Sequence, residues 1–370
     1  MNERPAGATV GSSDVKVWGA TSGERLARTF GRIGVSVLTP EAAAGQGAGV
    51  VLAHEGWVFD EALIGALAKR PGAALVDEDG RPVAVHVPAA EASAAARALE
   101  AGEAPASVER LTATQLLGAY NSALRKREPP VLVRLTAENV RAVEKRLFQA
   151  SYKGVTDIVT KYVWPTPARI VTRWCALAGV TPNQVTFMSL LLVIGAFGLF
   201  WTGHFLWGLA LAWVMTFLDT VDGKLARVTL NSSPLGNIFD HGIDLVHPPF
   251  WWAAWLVGVQ HSAHPLTRPE EVFWVVIGGY VVQRALEGIF AHTFKMHVHA
   301  WRPFDSFFRL ITARRNPNLL LLTPAALVGR ADVGLILVAI WTAISLLVHL
   351  VQLIQAFAAP RSSVVSWLSR

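Results

Sequence analysis

Beyond Trp164 the chain consists largely of long apolar runs separated by short polar loops, and that pattern leaves few folds open. Hydrocarbon offers backbone N–H and C=O groups no partner, so only helices and closed barrels cross a bilayer. Runs of about 20 apolar residues have the length of a spanning helix. Six are expected, over 184–202, 205–226, 235–259, 271–292, 316–329 (the shortest) and 333–357. Just before them, "TPARIVTRWCALAGV" sets Arg169 and Arg173 four residues apart, with Ile170, Trp174 and Leu177 around the other side. That is the pattern of an interfacial amphipathic helix. With 52% apolar and 16% charged residues, the chain is too apolar for an ordinary soluble enzyme.

The loop charges give an orientation. Lys224, Arg227, Lys295, Arg302, Arg309, Arg314 and Arg315 fall on the side shared with Lys153, Lys161 and Arg169. The opposite loops, "TGH", "HSAHPLTRPE" and "GRAD", carry few basic residues. The positive-inside rule then places both termini on the cytoplasmic side of a cytoplasmic (inner) membrane. The net charge of +6 fits such loops and contact with anionic membrane lipid. No stacking-aromatic or basic-arm pattern calls for nucleic acid. A lone Cys175 excludes an intrachain disulfide. The N-terminus lacks a positive-then-apolar signal segment, so the first domain is expected to stay cytoplasmic. No internal repeat is evident, against a transporter built from inverted halves.

The expected architecture is a six-span all-α membrane domain (165–360) with its interfacial helix, preceded by a small soluble α/β domain (1–100) and a helical linker (101–164). In the soluble part, "VKVWG", "GVSVLT", "GVVLAH", "ALVDE" and "PVAVHV" alternate with helical stretches such as "GERLARTFGRI" and "FDEALIGALAKR". That alternation favours βαβ units and a mostly parallel sheet. In the linker "TAENVRAVEKRLFQAS" is the clearest helix, with Thr136 as its N-cap.

One stretch violates the apolar pattern. "DTVDGKLARVTLNSSPLGNIFDHGID", Asp219 to Asp244, joins the second and third spans and holds four aspartates. A charge in hydrocarbon costs roughly 3 kcal/mol on insertion scales, so intramembrane carboxylates are rare and usually functional. Asp219 and Asp222 are three apart and Asp240 and Asp244 four apart, so each pair shares a helix face. A hairpin of the two spans brings all four together near the cytoplasmic side. Clustered carboxylates repel unless a cation neutralises them, and oxygen-only ligands suit Mg²⁺ or Mn²⁺. A divalent ion between carboxylates is a common device for handling a diphosphate. Gly223 and Gly236 allow close approach to the backbone, and Arg227 adds a phosphate-binding fork.

The spacing D-x2-D-G-x2-A-R-x8-G-x3-D-x3-D is complete as Asp219, Asp222, Gly223, Ala226, Arg227, Gly236, Asp240 and Asp244. It resembles the signature of the CDP-alcohol phosphotransferase (CDP-alcohol phosphatidyltransferase) family, and "TPNQVT" resembles that family's Pro-Asn-x-x-Thr entry to its first span. The resemblance covers roughly 165–357. It implies that Asp219, Asp222, Asp240 and Asp244 hold the metal and that Asp244 is also the base for the acceptor hydroxyl. It further implies that Gly223, Ala226, Arg227 and Gly236, with Asn183, line the CDP pocket. The implied reaction transfers the phosphoalcohol group of a CDP-alcohol, CDP-diacylglycerol in first place, to a hydroxyl acceptor and releases CMP. A phosphorylated polyol is the expected acceptor, phospholipid biosynthesis the expected process and a homodimer the expected assembly.

Other residues allow two readings. Arg284 and Glu287, three apart in the fourth span, either satisfy each other or expose Arg284 to the cavity with Arg309, Arg314 or Arg315 as an anion pocket. His349 could contribute to that pocket. Arg314 and Arg315 are expected at lipid phosphate on the surface, and His241 and His247 in structural roles. In the first domain, "VWGATSGERLARTFGRIGV" and "VLAHEGWVFDEALIGAL" look similar to a sugar nucleotidyltransferase fused to such a transferase, as in inositol-phosphate cytidylyltransferase fusions. Gly23 and Arg25 of its phosphate loop are present, but "AHEGW" offers only Glu55 where that family has its aspartate. A non-catalytic remnant is expected there. A bifunctional cytidylyltransferase–transferase and a silent membrane scaffold are the alternatives.

Overall fold

The structure is a computed structural model that describes residues 4–43, 49–232 and 234–370; for Pro234, Leu235, Asn237, Asp240 and His241 it describes the backbone alone. The N-terminal part is built on a five-stranded sheet of β1 (Ala6–Val10), β2 (Val50–His54), β3 (Ala73–Val76), β4 (Pro82–Val87) and β5 (Glu109–Thr112). Their spatial order is β1-β2-β4-β3-β5. Strand β2 shows why these runs are apolar at every position. Val50 and Leu52 pack on one face beside Ala92, Ala95 and Leu99, while Val51 and Ala53 pack on the other beside Phe30, Leu63 and Ile64. A sheet covered by helices on both faces has no polar side.

Two expectations are corrected here. The sheet is mixed: β1 and β2 run parallel, as do β3 and β5, but β4 is antiparallel to both its neighbours. "GVSVLT" contributes a single bridge, Gly7 to Val37. The stretch 101–164 is also more than a helical linker. It supplies edge strand β5, a short hairpin of Tyr120–Asn121 with Lys126–Arg127, and a strand Leu132–Arg134 paired with Trp57–Phe59. Of β5 only Leu111 is buried, so the strand depends on pairing with β3 and shows no apolar pattern of its own. The helix Val140–Ala150 starts after Asn139, with Thr136 in the preceding turn accepting from the Asn139 N–H at 3.3 Å.

Helix α1 (Ser22–Arg32) docks the N-terminal α/β part onto the helical bundle. The interfacial helix α2 (Pro165–Leu177) exposes Ile170, Trp174 and Leu177 on one side and buries Ala168 and Thr172 on the other. Helices α3 (Pro182–Trp201), α4 (Phe205–Val228), α6 (Pro269–Phe294) and α8 (Ala331–Ala358) are each long and apolar enough to cross a membrane. Between them lie α5 (Pro234–Gln260), with Pro248 and Pro249 inside it, and α7 (Arg315–Leu327). Thirteen residues make α7 roughly 20 Å long, short of a hydrocarbon core of about 30 Å. The bundle core contains Phe200, Met215, Trp251, Trp255 and Leu335. The Trp251 and Trp255 indole N–H groups donate to Val193 O and Ala331 O, both at 3.0 Å.

Arg25, Arg28 and Arg32 recur along one face of α1 and meet the C-terminal end of α4. Arg25 Nη1 donates to Val228 O at 2.5 Å, Arg28 Nη1 to Thr229 O at 2.7 Å, and Arg32 to the Ser232 hydroxyl. The last carbonyls of a helix have no partner inside it and carry its negative dipole end, so cations are favourable there. Burial and the neighbouring Arg28 push the Arg25 guanidinium down to about 10. The arginine that resembles a nucleotide-loop residue thus holds the end of the helix bearing Asp219 and Asp222. A common apolar cluster of Val17, Trp18 and Val58 with Val185, Val221 and Leu225 continues this contact. Glu144 joins the same parts, accepting from the Trp18 N–H at 3.1 Å and from Arg173 Nε at 2.9 Å.

Candidate active site

The site begins with the start of α3. Thr181 caps the helix in a reciprocal box with Gln184, and Pro182 occupies the first turn, where its missing N–H costs nothing. One turn on, Thr186 Oγ1 donates to Asp222 Oδ2 at 2.6 Å. The threonine of "TPNQVT" therefore fixes an aspartate of α4. Asp222 is 3% exposed, and that contact turns its carboxylate toward α3.

Asp219, one turn earlier on α4, and Asp244, on α5, converge on one cation. Arg315 at the start of α7 donates from Nη2 to Asp219 Oδ2 at 2.6 Å and from Nη1 to Asp244 Oδ1 at 2.7 Å. The side chain of Asp240, the fourth aspartate, lies outside the described residues, as does that of His241. A cavity of about 360 Å³ opens here, lined by Asp219, Gly223, Arg227, Asp244, Arg284 and Arg309 among others. Asn183 is exposed at the beginning of α3, and Ala226 and Gly236 are partly buried; none of the three is part of this cavity wall.

The arrangement answers the metal question on its own chemistry. Two carboxylates from neighbouring helices already reach a single positive charge, and all the donors are hard oxygens, the set that suits Mg²⁺ or Mn²⁺. The residues present fit a divalent ion. A second group, Glu287 with His299 and His349, has its potential ligand atoms all within 4.8 Å of one another. Its carboxylate is already neutralised by Arg284 at 2.8 Å and by Arg314, which makes it an ion-pair network.

The same network fixes where the basic residues lie. Arg284 and Glu287 do pair, and Arg284 also faces the cavity. Arg314 and Arg315 point into the cavity instead of meeting lipid phosphate, because Glu287 and the two aspartates hold them. His349 is 2% exposed and sits 3.6 Å from Glu287, behind the cavity wall. His247 is structural, with Nδ1 2.6 Å from Ile243 O and its ring on Trp251.

Sequence reasoning missed Arg125, Lys153 and Asp157 as cavity residues. Asp157 accepts from the Thr160 N–H at 3.0 Å, the Thr160 hydroxyl at 2.9 Å and Asn316 Nδ2 at 2.9 Å. Burial alone would raise its carboxyl; Arg309 and these hydrogen bonds outweigh burial and hold it below the ordinary value. Lys153 is open to the cavity, yet the surrounding protein, then Arg125 and Arg227, lower its ammonium to about 8. For Arg125 and Lys153 the one available signal was the excess of basic residues, which the topology reading had already absorbed; Asp157 gave none.

Residues 179–341 match the family model described as CDP-alcohol phosphatidyltransferase. Cholinephosphotransferase 1 of Xenopus laevis is 33% identical over 125 residues, covering 30% of this chain and 29% of that protein. Choline/ethanolaminephosphotransferase 2 of Arabidopsis thaliana is 36% identical over 125 residues, covering 29% and 30%. Archaetidylinositol phosphate synthase of Pyrococcus horikoshii is 32% identical over 117 residues, covering 31% and 58%. The chain spans less than a third of the length of the frog and plant relatives. Among solved structures, Mycobacterium tuberculosis phosphatidylinositol phosphate synthase with CDP-DAG bound gives a TM-score of 0.40 at 19% identity, covering 50% of this chain and 92% of that one. The paired aspartates, the threonine that fixes one of them and the match to the CDP-alcohol phosphatidyltransferase model fall on the same segment, residues 179–341.

Proposed function

We propose that the protein is an integral membrane transferase that moves the phosphoalcohol group of a CDP-alcohol to a hydroxyl acceptor and releases CMP, in phospholipid biosynthesis. The observation that carries this reading is the convergence of Asp219 and Asp244 on one cation in a cavity that Gly223 and Arg227 also line. Six spans, with the cavity and both termini at the cytoplasmic face, accord with the basic loops on that side. Asp219, Asp222, Asp240 and Asp244 would hold Mg²⁺ or Mn²⁺, which when bound supplies Lewis-acid charge to the diphosphate. Arg227 offers the phosphates a planar pair of donors. Asp244, whose side chain is 41% accessible, takes the proton as the acceptor oxygen bonds to phosphorus and the bond to CMP breaks.

Diacylglycerol as the alcohol is supported by an apolar groove of about 610 Å³ between α3 and α5, lined by Val193, Phe197, Ile243, Val246 and Phe250. Ile243 adjoins Asp244, so acyl chains in this groove would leave the nucleotide end near the carboxylates. In the first domain, Arg25 is engaged by Val228 O, which favours a docking role over a second cytidylyltransferase activity.

The direct test supplies purified protein with labelled CDP-diacylglycerol, Mn²⁺ and a panel of alcohols and phosphorylated alcohols. CMP release that needs both metal and acceptor is expected, and its absence with every CDP-alcohol tried would refute the reading. A pH effect follows from Lys153. With its pKa at about 8, this lysine is a cation below that pH and neutral above it. An anion in the cavity favours the charged form, so affinity is flat below pH 8 and falls as pH rises through it. Sulfate, a dianion throughout, is the suitable probe. A flat profile between pH 7 and 10, or the same profile in Lys153→Met, would remove Lys153 from anion binding.

A further inference from the structure

A second group of cations lines the same cavity, and two of its members lie outside the family-matched segment. Arg125 and Lys153 stand there with Arg309 and Arg314. Arg309 is 9% exposed, and its Nε and Nη1 have no hydrogen-bond partner among the described residues. Nε of Arg125 is buried and unpartnered in the same way. A buried guanidinium with open N–H donors is unfavourable unless something supplies acceptors. The neighbouring acids are already engaged. Glu287 is shared by Arg284 and Arg314, Asp157 accepts from Thr160 and Asn316, and Arg315 takes Asp219 and Asp244. The cluster has donors to spare for an incoming anion.

Arg125 reaches this place through its backbone. It ends the loop of the hairpin Tyr120–Asn121/Lys126–Arg127 with φ at 50°, left-handed and uncommon for a residue with a side chain. The loop rests on Gly154, whose N–H donates to Leu124 O at 2.8 Å. A Cβ at position 154 would stand 2.5 Å from Arg125 O and 2.6 Å from Lys126 Cβ. Only glycine lets the hairpin lie so close. On the hairpin's outer strand, Arg127 Nη1 donates to the backbone oxygen of Arg370. The hairpin is a seated wall of the cavity.

We propose that this cluster is a subsite for a phosphate dianion carried by the acceptor, and that Arg125, delivered by the extramembrane hairpin, is a specificity-determining residue for phosphorylated alcohols. That the anion is carried by an acceptor rests on the transferase reading; the anion site itself rests on the geometry. Its N–H donors match phosphate oxygens as a fork, and Lys153 adds a mobile charge. Selection of the acceptor then belongs to a segment that the family match does not include.

Inorganic phosphate titrated calorimetrically into the full chain in detergent, without CDP-alcohol, tests the site. Phosphate should bind, and Arg125→Gln should weaken it about 10- to 100-fold, the loss expected for one charge-assisted contact. Arg125→Lys should retain part of the affinity. Gly154→Ala keeps every cationic residue in the sequence but lifts the hairpin that carries Arg125, and should weaken phosphate as well. In the transferase assay Arg125→Gln and Gly154→Ala should each raise the KM for a polyol monophosphate and leave that for the same polyol without phosphate. Wild-type affinity for phosphate in both variants, or no phosphate binding by the unaltered protein, overturns the proposal even if CMP is released. Phosphate binding that depends on Arg125 and Gly154 in a protein that releases no CMP upholds the anion site and overturns the transferase reading.

Discussion

Asp244→Asn should slow CMP release by about 10²- to 10⁴-fold, the usual contribution of a positioned general base. The amide keeps the shape of the carboxylate and cannot accept the hydroxyl proton. Arg315 Nη1 donates to Asp244 Oδ1 at 2.7 Å, and the side chain retains 41% of its accessible surface, so an acceptor hydroxyl can reach it. Asp219, held by the same arginine, is 17% accessible and is the less approachable of the two. Single-turnover release of CMP from a pre-formed donor complex measures the step without acceptor saturation entering. A variant that keeps more than about a tenth of the rate would place the base elsewhere, since such a loss is below what general bases contribute.

Arg315→Gln should destabilise the metal-free protein by about 2–3 kcal/mol. Breaking a fully buried ion pair costs about 3–5 kcal/mol because the abandoned charge stays desolvated. The figure is smaller here because Asp244 is partly open to the cavity. A divalent ion compensates the same two carboxylates, so Mn²⁺ at about 100 times its Kd should restore about 2.7 kcal/mol. Thermal unfolding in EDTA and in Mn²⁺, for the unaltered protein and the variant, gives a reading that needs no catalysis. Equal midpoints in EDTA would show that the arginine is not what neutralises the site. Failure of Mn²⁺ to close the gap would show that Asp219 and Asp244 do not share an ion.

These two experiments concern residues that were legible to very different degrees. Asp219 and Asp222 lie three apart on one helix, and no tertiary information is needed to see that they are neighbours. Even there the chain's periodicity said only that they share a face. Thr186, 36 positions earlier, turns Asp222 toward α3 and leaves Asp219 to the cavity. Arg315 is 96 residues from Asp219 and 71 from Asp244, and in the sequence it is one more basic residue in a loop between apolar runs. The same applies to β5, an edge strand with one buried side chain, and to Arg125.

Hydrocarbon imposes a local demand on every residue in it, so the apolar runs, the helices they form and the anomaly of four aspartates can be read one segment at a time. Compensation of charge is a pairwise matter between segments far apart in the chain. Which cation meets which carboxylate, why Arg314 and Arg315 turn inward, and how a hairpin resting on Gly154 brings Arg125 to the cavity depend on packing that no local pattern records. The membrane part and its acidic motif therefore follow from the order of residues alone. The partners of those acids, and the wall that would select an acceptor, exist only once the helices and the N-terminal α/β part have come together.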